Sequence, residues 1–202
     1  MRDDRWLERL PSAIGAPPAE AVASSRRRVE AWFAGAAPLI RWDVVETPVG
    51  SLYVAANARG VCRTRLGGEA DDFLATLDPL ARTVRDRHSL TAITAQLQEY
   101  FAGARRRFDL PLDMSRMRPF QRRVLQTALA IPAGTVWTYG QVARTIGNPR
   151  ASRAVGAALG SNPIPVIIPC HRVIGSDGRL HGYGTGDGLP TKRWLLELEG
   201  AV

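Results

Sequence analysis

The chain has 202 residues, 45% apolar and 23% charged, which is enough to bury a core and too apolar for a disordered protein. No apolar run is long enough to span a bilayer, and the stretch Met1–Gly15 carries acids and arginines where a signal peptide needs an apolar segment, so a cytoplasmic location is expected. The net charge of +8 is uneven: residues 1–116 hold 17 basic and 15 acidic side chains, and residues 117–202 hold 10 and 4. The positive excess therefore sits in the C-terminal part, as a phosphate-binding surface requires, although an arginine-rich composition accounts for the same numbers.

Residues 1–35 are rich in Ala, Arg and Pro and read as an extension, with either a short helix around Ala19–Phe33 or loose attachment. Residues 36–112 follow as a supporting domain. From Ile40 the pattern is β: Thr47-Pro48-Val49-Gly50 precedes a strand Ser51–Ala56, Asn57–Gly60 reads as a turn, and Val61–Leu66 as the next strand. A helix is expected near Glu69–Leu77. A stronger one follows, capped by Ser89, with Leu90, Ile93, Leu97, Tyr100 and Phe101 on one face and Gly103 past its end. Arg105 to Met117 is a connector.

Residues 117–202 form the second domain. Phe120, Val124, Leu125 and Ala128 have helical spacing. Thr138 to Gln141 fits a capping box opening a short helix through Ile146, which Gly147 can end. Asn148-Pro149 is expected to cap a second helix from Arg150 to about Gly160, completing a helix-turn-helix. In that helix Ala151, Ala154, Gly156, Ala157 and Ala158 carry little bulk, which suits close helix packing or close approach to a nucleic-acid groove; Arg153 is the long side chain among them. Three prolines stiffen Asn162-Pro163-Ile164-Pro165-Val166-Ile167-Ile168-Pro169, and Val166–Ile168 is read as a buried strand delivering Cys170. His171 and Arg172 follow at once. A cysteine beside a histidine is structural or nucleophilic; nucleophilic use needs a group that favours the thiolate. Cys62 reads as a buried strand residue, and the two cysteines with His88, His171 and His181 make no zinc spacing, so no metal is expected.

Pro169-Cys170-His171-Arg172-Val173, preceded by Asn162-Pro163-Ile164-Pro165, closely resembles the signature of the O6-alkylguanine-DNA alkyltransferases, the methylated-DNA–protein-cysteine methyltransferases. The resemblance extends in order and spacing from Phe120 through Thr138–Ala143, Gly147-Asn148-Pro149, Arg153–Gly156 and Gly182-Tyr183 to Lys192-Arg193-Trp194-Leu195-Leu196; the hairpin at Thr47–Leu66 resembles the family's N-terminal domain more weakly. It implies an α+β fold, with a ribonuclease H-like sheet-and-helix domain and a C-terminal winged helix-turn-helix domain carrying the active site. It implies DNA repair without a cofactor: a single irreversible transfer of methyl or another alkyl group from O6-alkylguanine, with O4-alkylthymine a further candidate, to Cys170 after base flipping from the minor groove.

In the family's pattern His171 is the base, acting through a water, and Glu199 in the last helix orients it, with Glu197 the competing position. Tyr139 helps stabilise the leaving guanine, Arg153 fills the vacated stack, and Ala154, Gly156 and Ala157 let the helix enter the groove. Asn162 is the hinge, and Pro165, Val173, Tyr183 and Gly184 line the alkyl and base pocket. The segment Gly184–Pro190 is slightly longer than in familiar members, and the small Gly184 is expected to admit larger alkyl groups. The implied partner is double-stranded DNA carrying alkylated guanine, met by a monomer with no membrane contact. Competing readings are a non-catalytic damage sensor, against which Cys170 argues; a helix-turn-helix regulator, for which the small-residue helix is ill suited; and a cysteine hydrolase, for which no oxyanion site is evident.

Overall fold

The structure, a computed structural model, describes residues 18–202. Expectations for earlier residues lie outside that range. The chain divides into two compact units after Ala37, and among the described residues the first contributes one helix, α1 (Ala19–Ala36).

In Pro38–Val202, β1 (Leu39–Thr47), β2 (Gly50–Asn57) and β3 (Gly60–Leu66) form an antiparallel meander, and β4 (Arg82–Arg85) adds in parallel to β1, giving the order β3-β2-β1-β4. Alternation along β2 sends Leu52 and Val54 to one face and Tyr53 and Ala55 to the other. The first face joins the main core with Leu97, Tyr100 and Phe101 of α3 (Thr91–Phe101); the second packs on Phe73 of the short α2 (Ala70–Leu74) and on Leu77. The β2–β3 turn needs Gly60, at φ +124°, because a Cβ there would collide with the Pro111 backbone. Strand β4 is exposed along its length, and Arg82 and Arg85 on this edge discourage further pairing. Ser89 does not cap α3: Leu90 holds that position without a side-chain bond, and Ser89 instead donates its amide and hydroxyl to the Asp86 carboxylate.

Next come α4 (Pro119–Leu129), β5 (Trp137–Thr138), α5 (Tyr139–Thr145), α6 (Ser152–Gly160), β6 (Val173–Ile174) and α7 (Leu189–Glu199). The capping box forms: Thr138 accepts from the Gln141 amide at 3.1 Å, and the Gln141 side chain accepts from Thr138 N at 2.6 Å. Gly147, at φ +75°, then reverses the chain and the Asn148 amide donates to Ala143 O. Asn148-Pro149 does not begin α6. It forms a turn closed by the Ala151 amide on Asn148 O, so the helix starts at Ser152, with Ala151 at its N-cap.

The main core runs without interruption from the sheet through α4, α5 and α6 to Cys170 and Leu195. Strand β3 also clamps the second half directly. Thr64 N donates to Pro163 O at 3.0 Å, Thr64 Oγ1 to Pro165 O at 2.6 Å, and Gly186 N to Leu66 O at 2.8 Å. No helix among the described residues is long and apolar enough to cross a membrane.

Candidate active site

The proline-rich segment reaches Cys170 differently from the sequence expectation. Residues 164–170 are buried, but Val166–Ile168 is a series of turns and Cys170 opens a single 3₁₀ turn, Cys170–Arg172. The reason is Val166, whose φ of +73° no strand allows. A β-branched residue there is strained, and the Thr64 hydroxyl on the preceding carbonyl together with full burial of the valine holds it in place.

Asn162 sits at the end of α6 and spans the turn. Its Nδ2 donates to Ile168 O at 2.9 Å and to Cys170 Sγ at 3.2 Å, while Oδ1 accepts from Ile164 N at 3.0 Å. The hinge position is thus also a donor to the sulfur. Burial pushes the Cys170 thiol up, against the Asn162 hydrogen bond and the Lys192 charge, so the resting group is a thiol.

Next to it, Glu199 gathers donors from three parts of the chain. His171 Nε2 donates to Oε1 at 3.0 Å, Arg172 reaches Oε2 through Nε and Oε1 through its second terminal nitrogen, each at 2.8 Å, and the Tyr100 hydroxyl donates to Oε1 at 2.7 Å. Burial raises the Glu199 carboxyl, but the hydrogen bonds from His171 and Arg172 and the Arg172 charge together outweigh it and leave the group at about 2. A carboxylate on Nε2 fixes the tautomer with its lone pair on Nδ1. Burial lowers the His171 pKa against the pull of Glu199, so the imidazole rests neutral. His171 Nδ1 and the Tyr183 hydroxyl oxygen are buried and have no protein partner, and the two rings stand edge to face at 6.5 Å. Arg172 does not lend its charge to the sulfur; its guanidinium is spent on Glu199 and the Ile131 carbonyl. Glu197, two residues from Glu199, is exposed.

A groove of about 840 Å³ opens between α5, α6 and the loop Gly175–Gly184. Tyr139, Arg153, Gly156, Tyr183 and Gly184 line it. Ala154 and Ala157 are exposed on α6, and a Cβ on Gly156 would touch the Tyr139 ring at 3.7 Å. Burial pushes both the Tyr139 and Tyr183 phenols up, so both keep their protons. Gly184 brings its loop close to α6: a Cβ would stand 3.3 Å from Gly160 O. Pro165 and Val173 are not among the groove's lining residues. Pro165 faces β3 through its carbonyl, and Val173 is fully buried and pairs with Trp137.

Two buried polar side chains beside the candidate site carry no marked signal in the sequence. Lys192, 1% exposed, donates Nζ to Val173 O at 2.7 Å and His181 O at 2.9 Å, and burial holds it at about 8. Its signals in the sequence are only its place at the head of the Lys192–Leu196 run and its being the one lysine among arginines. Tyr100 was placed on a core face with nothing to mark its hydroxyl. Among the described residues no group of three or more His, Cys, Asp and Glu is placed to hold a metal ion.

Residues 40–114 match the family described as 6-O-methylguanine DNA methyltransferase, ribonuclease-like domain, and residues 119–201 match its DNA binding domain. The chain belongs to this methyltransferase family. A methylated-DNA–protein-cysteine methyltransferase of Mycobacterium bovis is 41% identical over 163 residues, spanning 80% of this chain and 93% of its own. The constitutive enzyme of Bacillus subtilis is 38% identical, over 78% and 94%. The crystal structure of Mycobacterium tuberculosis OGT in complex with DNA superposes with a TM-score of 0.69 at 40% identity, covering 79% of this chain and 92% of that one. The expected fold class, with a ribonuclease-like sheet domain followed by a helical DNA-binding domain, agrees with this methyltransferase family.

Proposed function

We propose that this methyltransferase repairs double-stranded DNA by moving the alkyl group of O6-alkylguanine onto Cys170, once per molecule. The observation that carries the proposal is the Glu199 carboxylate on His171 Nε2, which leaves Nδ1, buried and without a protein partner, to serve as the base for the thiol of the preceding residue. Thiol and imidazole are both neutral at rest, so the proton moves only when the reaction calls for it. It passes from Sγ to Nδ1 through a water held against the two unpartnered buried atoms, His171 Nδ1 and Tyr183 Oη. Asn162 Nδ2 and the Lys192 charge stabilise the thiolate that results. The sulfur attacks the alkyl carbon, an S–C bond forms as the C–O6 bond breaks, and the electron pair leaves with guanine. Tyr139, a protonated phenol on the groove wall, donates to the leaving base. The thioether has no base or nucleophile to reverse it.

The groove and the cationic C-terminal part of the chain serve the DNA. Arg153 projects from α6 beside Ala154, Gly156 and Ala157, an arrangement suited to a minor groove from which one base is flipped. The protein acts as a monomer on this reading. The Gly184–Pro190 loop, pinned to β3 through Gly186, leaves the mouth of the groove lined by glycine, and alkyl groups larger than methyl are expected to enter. Incubation with an oligonucleotide bearing O6-methylguanine, followed by intact and peptide mass measurement, tests the function: one methyl at Cys170, absent in Cys170→Ser, is expected. Binding without mass gain overturns it. Comparing methyl and benzyl lesions tests the loop, and a marked methyl-only preference refutes that part.

A further inference from the structure

The Glu199 carboxylate is more heavily used than a histidine-orienting residue requires. Its Oε1 receives three donors, Tyr100 at 2.7 Å, Arg172 at 2.8 Å and His171 at 3.0 Å, while an oxygen offers about two lone-pair sites. The bond to His171 is the longest of the three. Tyr100 comes from α3, 99 residues away and in the ribonuclease-like half, and is 1% exposed. Its ring is held by Phe101 and Phe108, with centroids at 5.3 and 5.1 Å, so the hydroxyl has little freedom to leave.

We propose that Tyr100 is a positioning residue for the transfer step: its hydroxyl holds the Glu199 oxygen on which His171 turns, and thereby sets how strongly the imidazole takes the proton of Cys170. The inference rests on the alkyl-transfer reading above. The physical chain is short. A donor on Oε1 draws charge away from the oxygen that faces His171 Nε2. Remove that donor and the carboxylate holds an imidazolium more strongly. The charged and titratable groups around the pair are Glu199, Arg172, Lys192, Tyr183 and the adjacent Cys170 for His171, and Glu199, Arg172, Arg106 and Tyr183 for Tyr100. Tyr100 stays protonated throughout, since burial and then the Glu199 charge push its ionisation well up, so it acts as a constant donor and not as a switch. The simpler alternative is a core tyrosine whose hydroxyl found a convenient acceptor.

Tyr100→Phe separates the two, because it keeps the ring and deletes only the donor. Single-turnover transfer from an O6-methylguanine duplex is measured against pH, together with duplex affinity and an NMR titration of the His171 ring. The acid limb, where protonated His171 cannot serve as base, is expected to move to higher pH, so that on this limb Tyr100→Phe transfers about three-fold more slowly than wild type. The His171 titration should move the same way, and duplex affinity should not change. In a Glu199→Gln background the Tyr100→Phe displacement of the His171 titration should vanish. An acid limb and ring titration that are unmoved, or that shift downward, overturn the proposal; a stability loss alone is what a core tyrosine would give. A wild-type protein that takes up no methyl group defeats the functional reading instead, and the ring titration still judges Tyr100.

Discussion

Glu199→Gln tests the buried network most directly. The carboxyl titrates at about 2 in the fold against an ordinary 4.5, a gap worth about 3 kcal/mol at ~1.36 kcal/mol per unit. Because the folded value is depressed, this stability is fully present above pH 4.5 and is lost as the pH falls towards 2. A second route to the number starts from Arg172, which is 6% exposed and uses two nitrogens on Glu199. Removing one partner of such a pair leaves a buried charge uncompensated, at a cost of about 3–5 kcal/mol. Glutamine cannot repair this, since whichever way its amide turns, an NH₂ group faces a donor. Urea unfolding of wild type and variant from pH 7 to pH 2 should therefore show a gap of about 3 kcal/mol at neutral pH that closes with acid. Single-turnover transfer should slow by about two orders of magnitude, since His171 loses the anion that stabilises its protonated form. A gap under about 1 kcal/mol, the value of an exposed pair, or a gap independent of pH would refute the reasoning.

Gly156→Ala separates fold from function on α6: the new Cβ meets Tyr139 at an ordinary contact distance, so thermal unfolding should show a gain of about 0.5–1 kcal/mol, while affinity for a lesion-bearing duplex falls. Lys192→Met removes a group that is a cation below about pH 8 and favours the Cys170 thiolate, so iodoacetamide modification of Cys170 at pH 7, followed by peptide mass, should slow; an unchanged rate would show that Lys192 serves only its two carbonyls. Cys62, which burial pushes up to about 11, should remain unmodified in the same experiment. Thr138→Ala should cost about 1 kcal/mol in urea unfolding through loss of the capping box that also presents Tyr139.

The sequence alone determined what depends on neighbours a few residues apart. Thr138 and Gln141 cap α5 because a side chain three positions on returns to the same backbone turn, and Gly147 reverses the chain because only glycine adopts positive φ without strain. The hairpin strands follow from period-two burial, and the Pro-Cys-His-Arg run, through its family resemblance, singled out Cys170 as the candidate acceptor. Ser89 and Asn148-Pro149 mark the limit of that reasoning. Both are good caps by residue type, but Ser89 found an acceptor in Asp86 and Asn148 closed a turn, because competing local bonds have similar energies. Only the tertiary structure decided that Val166 turns left-handed, since the force holding it comes from Thr64, about 100 residues upstream. It likewise decided that Asn162 reaches the sulfur, that Arg172 serves Glu199 instead of Cys170, and that Tyr100 and Lys192 belong to the site. Contacts between residues so far apart in the chain are set by how buried faces pack and which buried polar atoms still need partners, and no local pattern encodes that.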